Sequence, residues 1–179
     1  MRWRHLPSFT RLHTPSHAYN TYVMIDVIDA PFIRSAGLSD LSAIRQQQRV
    51  CFGADAYYWW TLLGLLLTPG TVSLKALQNN KLVGFIAAEA NPFDGCGWIV
   101  TVGVLPEFQG YGFGAALLQA AERQLNPARM RLTVRVGNQR ALRLYERLGY
   151  RQCGTRPRYY ADGEDGWVME KSCAAETRA

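Results

Sequence analysis

The stretch from Trp98 to Leu125, WIVTVGVLPEFQGYGFGAALLQAAERQL, constrains this chain more than any other part of it. A β-branched run, Ile99 to Val104, is broken by Pro106, and the turn Gln109-Gly110-Tyr111-Gly112-Phe113-Gly114 leads straight into an Ala/Leu helix. Three glycines at every second position leave backbone N–H groups uncovered where that helix begins. The first helical turn has unpaired donors at the positive end of the peptide dipole, so the turn reads as a phosphate cradle. Gly110, Gly112 and Ala115 match the dinucleotide fingerprint G-x-G-x-x-G/A in form. That fingerprint needs its first glycine at the end of a strand and an acidic residue about 20 positions on. Here Leu105 to Gln109 intervene, and the region around Met130 holds Arg129 and Arg131. A nucleotide-oxidoreductase reading fails on both counts. A turn shaped by glycine alone is the other alternative, but a plain strand-to-helix connection rarely needs three of them.

With 179 residues the chain is one domain's worth, able to bury roughly 70% of its unfolded surface. All three histidines, His5, His13 and His17, lie within the first 17 residues. Ser-His-Asp, Cys-His and His-rich zinc chemistry are thereby excluded from the body of the protein. The four cysteines, Cys51, Cys96, Cys153 and Cys173, show no C-x-x-C spacing. That pattern predicts no metal site and a reducing cytoplasm. The apolar run Tyr57 to Leu67 is far short of the ~20 residues of a membrane span and reads as a buried helix. Residues 1–30 read as a mobile basic extension, with Met24 as an alternative start, residues 31–172 as the domain and 173–179 as a tail. From Arg123 to Arg158 there are ten arginines and one acid, Glu146, which makes a positive rim just after the cradle.

The elements read as a mixed α/β sheet, antiparallel first and parallel at its centre. Phe32 to Ala36 is a first strand. Asp40 caps a helix with Leu41 and Ile44 on its apolar side, and Asp55 caps a second that runs to Leu67. Val72 to Leu77 and Leu82 to Ala90 form a hairpin across Gln78-Asn79-Asn80-Lys81. The strand Trp98 to Val104 and the cradle helix follow, with Leu118, Ala121 and Leu125 on one helix face. Leu132 to Val136 must pair parallel to its predecessor through a crossover. Asn138 caps the next helix, Gly149 ends it, and a last hairpin joins Tyr150–Tyr160 to Trp167–Lys171.

Gln109-x-x-Gly112-x-Gly114 after Val-x-Val and a proline resembles the acetyl-CoA motif of the GNAT superfamily of N-acetyltransferases. The resemblance extends about 70 residues downstream, through Leu132-Thr-Val-Arg-Val136, Asn138-x-x-Ala141-x-x-x-Tyr145-Glu146-x-x-Gly149-Tyr150, Arg158-Tyr159-Tyr160 and Asp162-Gly163-Glu164-Asp165. The later segments are most similar to the ribosomal-protein-alanine N-acetyltransferase branch. The resemblance implies a GNAT fold whose two parallel central strands splay to admit the pantetheine arm of acetyl-CoA as an extra strand. Contact falls on the backbone of Val102, Gly103 and Val104, and the pyrophosphate on Gln109, Gly110, Tyr111, Gly112, Phe113, Gly114 and Ala115. Asn138 touches the pantetheine amide or simply caps its helix.

Tyr145 lies seven residues on, two turns along nearly the same face. There it can protonate the departing thiolate as general acid, or pack as an aromatic beside Ala141 and Leu148. The branch places a glutamate where this chain has Thr133, which cannot act as a base; Glu89 on the preceding strand is the nearest substitute, and a relayed water is a third option. Tyr159 and Tyr160 correspond to residues that line the acceptor peptide's path. Adjacent strand residues point to opposite faces, so one of the two is expected in the core. Tyr57, Tyr58, Trp59 and Trp60 are expected to form the facing wall, several of them as core. The leading expectation is acetylation of a protein N-terminal α-amine, with a ribosomal protein as acceptor. The alternatives are a small-amine acetyltransferase (polyamine, aminoglycoside or amino acid) and a non-catalytic acyl-CoA-binding module. Acetyl-CoA and the amine are the expected partners, with no metal, no membrane and no sequence-specific nucleic-acid contact; oligomeric state has no signature here.

Overall fold

The computed structural model describes residues 31–91 and 95–173. The extension expected over 1–30, the tail from 174 onward and the choice between Met1 and Met24 lie outside the described residues. Seven strands form one sheet: β1 (Phe32–Ser35), β2 (Val72–Gln78), β3 (Lys81–Ala90), β4 (Cys96–Val104), β5 (Arg129–Arg135), β6 (Arg151–Arg156) and β7 (Gly166–Ser172). Their spatial order is β1-β2-β3-β4-β5-β7-β6, and β4–β5 is the parallel pair. The helices are α1 (Leu41–Phe52), α2 (Trp59–Leu67), α3 (Phe113–Leu125) and α4 (Gln139–Arg147). The expected α/β class and strand directions are those observed.

Two apolar layers hold the sheet. On one face Phe113, Leu117, Leu118 and Ala121 of α3 and Leu142 and Tyr145 of α4 pack on Ile86, Ile99, Leu132 and Val134. On the other, Ile44 of α1 and Leu62 of α2 pack on Phe85 and Ala87. The β2–β3 hairpin turns through Asn79 and Asn80, both with positive φ (49° and 60°), conformations that asparagine tolerates better than most residues.

The β4–β5 pairing ends early. Cys96, Gly97 and Trp98 meet Arg129, Met130 and Arg131, and beyond them the strands diverge. On the other side of β4, Val100 is an extra residue in the ladder to β3: Ala87 pairs with Thr101, Ala88 with Ile99. Such a bulge bends its strand and re-aims the chain that follows. The splayed centre of the sheet follows from these two features.

Four local expectations need correction. Asp40 stands at the N-cap of α1, but its carboxylate turns back to the Gly37 N–H (2.9 Å) and to Lys75 (2.7 Å). Asp55 caps nothing; α2 begins four residues later, and Asp55 reaches across the molecule instead. The Tyr57–Leu67 segment is not a buried helix. Only Leu62 is fully buried, while Tyr58, Trp59, Trp60 and Leu67 are exposed, because one face of a nine-residue helix suffices to cover Phe85 and Ile44. Finally, β6 stops at Arg156, so Tyr159 and Tyr160 lie in the β6–β7 loop and strand alternation does not sort them. Neither is core: their rings meet edge-to-face at 5.1 Å.

Candidate active site

A cleft of about 950 Å³ opens where β4 and β5 part. Its floor is Ile99 to Val102 on one side and Leu132 to Arg135 on the other. Asn138 and Tyr145 border it from α4, Glu89 and Trp98 from the paired ends of β3 and β4, and Tyr57, Tyr58, Tyr159 and Tyr160 from two loops.

The donor-side residues divide. Val102, Asn138 and Tyr145 line the cleft. Gly103 does not. A Cβ there would lie 2.6 Å from Gln47 Nε2 and 3.0 Å from Phe52, so the close approach it permits is to α1 rather than to a ligand. Val104 O accepts from Gln109 Nε2 at 2.8 Å, which ties the turn to the end of β4.

The glycines divide too. Gly110 and Gly112 adopt φ of 96° and 88°, the left-handed region that favours glycine. Gly114 instead allows helix packing, because its Cβ would sit 3.2 Å from Leu144 of α4. Gly112 O accepts from Ala116 N–H, and the N–H groups of Phe113, Gly114 and Ala115 precede the first intrahelical bond. Arg140 leans over this turn, with Nη2 3.4 Å from the Cβ position of Gly110. Thus the turn presents unpaired donors, a dipole end and a guanidinium, which suits an anion, although its residues are not among those that line the cleft. Among the described residues Arg123, Arg140, Arg143 and Arg147 have no carboxylate within 4.0 Å; Arg129 and Arg131 share Glu170.

Asn138 accepts the Ala141 N–H through Oδ1 at 3.1 Å and so caps α4, which leaves its amide nitrogen available. Two turns on, Tyr145 is 7% exposed and packs edge-to-face on Tyr150 at 5.9 Å. Its hydroxyl has no protein hydrogen-bond partner among the described residues, and it is not sealed from solvent. Burial, with a smaller contribution from Tyr160, holds its phenol well above the ordinary tyrosine range. It is therefore a neutral O–H donor aimed into a cleft.

On the β5 side of the floor, Thr133 lines the cleft, and its methyl sits where a side chain at Gly166 would be. Glu89 borders the cleft beside its register partner Trp98 and forms no ion pair among the described residues. Tyr57 donates to the Val100 carbonyl at 3.3 Å, which joins the α1–α2 loop to the bulge. Of the four early aromatics, Tyr57 and Tyr58 face the cleft, whereas Trp59 and Trp60 are exposed and neither core nor wall. Cys51 also borders the cleft, but burial raises its thiol to about 11, so it is a poor nucleophile.

The residue missed by sequence reasoning is Arg135. It donates to Asp55, to Asp162 at 2.8 Å and to Glu164 at 2.5 Å, and lies 4.1 Å over the Tyr160 ring. Asp55 also accepts the Ala161 N–H at 3.3 Å, and Glu164 the Gly137 N–H at 2.6 Å. These bonds draw the α1–α2 and β6–β7 loops together as a roof. A charged residue inside the β-branched run Leu132–Val136, with an acid cluster at 162–165, was the available signal.

A mixed sheet that parts at its parallel centre, with a donor-rich helix start and a roofed mouth, suits a transferase whose donor carries phosphate. The comparisons agree. The model of the acetyltransferase (GNAT) family matches residues 39–150, and the chain belongs to that family. An N-acetyltransferase of Methanocaldococcus jannaschii is 34% identical over 143 residues, covering 78% of this chain and 90% of that protein. The N-terminal acetyltransferase A complex catalytic subunit NAA10 of Arabidopsis thaliana is 31% identical, covering 78% and 77%. Among solved structures, the ribosomal-protein-S18-alanine N-acetyltransferase of Escherichia coli superposes with a TM-score of 0.73 at 25% identity, covering 84% of this chain and 99% of that one. This protein is an N-acetyltransferase, and its donor is acetyl-CoA. No helix of the described residues is long and apolar enough to cross a membrane.

Proposed function

We propose that the chain acetylates the N-terminal α-amine of a protein, with residues 31–172 as the catalytic domain, the basic 1–30 as an extension and 173–179 as a tail, in the cytoplasm. The observation that carries this reading is the roofed mouth: Tyr57, Tyr159 and Tyr160, on two loops tied by Arg135, bound an extended opening suited to a peptide end. In this reading the first-turn N–H groups of α3 and Arg140 hold the donor's pyrophosphate, and Val102 and Asn138 meet its pantetheine arm. The amine attacks the thioester carbon, and Tyr145 donates its proton to the thiolate that leaves. Glu89 takes the amine's proton, directly or through water, where Thr133 supplies no carboxylate. A protein α-amine titrates near 7.7–8.0 and lysine near 10.4, so at pH 7 roughly a tenth of the first and well under a thousandth of the second is free. A site with one exposed carboxylate as its base suits the α-amine.

The test is acetyl-CoA-dependent thiol release with peptides of varied first residue, polyamines and aminoglycosides. Turnover on peptides, abolished when the amine is blocked, is expected; turnover confined to small amines would overturn the reading. Tight acetyl-CoA binding without turnover on any acceptor would favour a non-catalytic module. The pH profile separates the amines further. Because burial raises the phenol of Tyr145 and pushes Tyr160 up to about 12, both keep their protons through the alkaline range. The log of kcat/KM should therefore climb with pH to one inflection near ~8 and stay flat to about 10, whereas a lysine-like amine would extend the climb to about 10.4.

A further inference from the structure

Four charged side chains line the cleft: Asp55, Glu89, Arg135 and Arg156. Asp55 and Arg135 are taken up in the roof, where Arg135 is shared among Asp55, Asp162 and Glu164. The remaining two have no opposite charge within 4.0 Å among the described residues, and they flank one ring. Glu89 is the register partner of Trp98, and the Arg156 guanidinium lies 5.0 Å over the Trp98 ring and 5.3 Å from that of Tyr159. The two aromatic faces hold Arg156 at the acceptor mouth through cation–π attraction. Arg156 makes no hydrogen bond or ion pair among the described residues, so its N–H donors remain for a carboxylate, which a guanidinium binds in two-pronged fashion. Its situation differs from that of Arg129, Arg131 and Arg135, each of which is paired with acids.

We infer that Arg156 selects acceptors that carry a carboxylate close behind the reacting amine, in the side chain of the second or third residue of a protein N-terminus. The inference rests on the α-amine reading above. Glu89 faces the amine as ammonium, and Arg156 faces the carboxylate on the other side of Trp98. An acceptor with lysine at that place brings two cations together, and selectivity comes as much from that repulsion as from the ion pair.

The experiment measures kcat/KM for peptides with Glu, Gln or Lys at residue two, and separately at residue three, on the full chain with saturating acetyl-CoA. Glu is expected to exceed Lys about tenfold at one of the two positions, or ~1.4 kcal/mol, with Gln between. Raising the salt to 0.5 M should shrink the ratio, because this pair is exposed to screening. Arg156→Gln should bring the Glu:Lys ratio to within about twofold, the scale of an absent exposed ion pair, and Arg156→Glu should invert it. Each ratio is internal to one variant, so partial loss of active protein cancels. Equal rates for Glu and Lys at both positions in the unaltered protein would overturn this inference and leave N-terminal acetylation standing. An undiminished ratio in Arg156→Gln would overturn it as well. No turnover on any peptide would instead overturn the α-amine reading on which it rests.

Discussion

Tyr145→Phe is expected to lower kcat by about a hundredfold or more, as loss of a general acid does, with acetyl-CoA affinity within about twofold of the unaltered protein. The substitution isolates one atom. Phenylalanine keeps the ring, its edge-to-face contact with Tyr150 and its place in the layer beneath the sheet; only the hydroxyl goes. That hydroxyl makes no protein hydrogen bond among the described residues, so its removal strands no buried partner there and should leave the melting temperature unchanged or slightly higher. The raised pKa of the phenol works in the same direction. A phenol that keeps its proton at every pH where the amine is free is always in the donating form. Single-turnover rates report the chemical step and calorimetry the donor affinity. A rate equal to that of the unaltered protein would remove Tyr145 from the mechanism and leave it as packing.

Asn138 and Tyr145 were legible in the sequence because both are local: a cap before a helix, and a second residue two turns along the same face. The glycine turn was legible for the same reason, although its three glycines serve two purposes. Gly110 and Gly112 meet a backbone demand, while Gly114 meets a contact with Leu144, a residue 30 positions away. Asp55 shows where local reasoning fails. An aspartate shortly before an apolar run has the pattern of a helix cap, but its partner Arg135 is 80 residues on, and a charge-assisted bond with a guanidinium outweighs a cap. Tyr159 and Tyr160 were misplaced for want of a strand end. Pro157 and the positive φ of Arg158 (49°) close β6, so alternation had nothing left to act on. The exposure of Trp59 and Trp60 is set by how little of α2 the sheet needs, a tertiary quantity that an all-apolar segment does not encode.

Arg135→Gln tests whether the roof positions the acceptor. Arg135 touches neither reacting atom in the proposed mechanism. Its loss should raise the acceptor KM about thirtyfold and leave the dissociation constant of acetyl-CoA within about twofold, since no bond of Arg135 reaches the glycine turn or α4. Charge-assisted hydrogen bonds contribute about 1.5–3 kcal/mol each when well sheltered. Counting only those to Asp55 and Glu164, and discounting for their partial exposure, about 2 kcal/mol remains, which corresponds to about thirtyfold. Arg135→Lys keeps the charge but loses the fork and should fall between the two.

The pH dependence of stability carries the sign. Asp162 is held below the ordinary carboxylate range by the Glu164 N–H and by Arg135. In the unaltered protein this contribution is therefore present above about pH 4, the unfolded value, and is lost as pH falls through the lower folded one. In the Gln variant Asp162 loses that cation, so less of this contribution is left to lose on acidification. Acidification towards pH 4 should thus narrow the gap in melting temperature between the two proteins. A constant gap would mean that the roof is held by the Gly137 N–H on Glu164 and by packing, with Arg135 a bystander to acceptor binding.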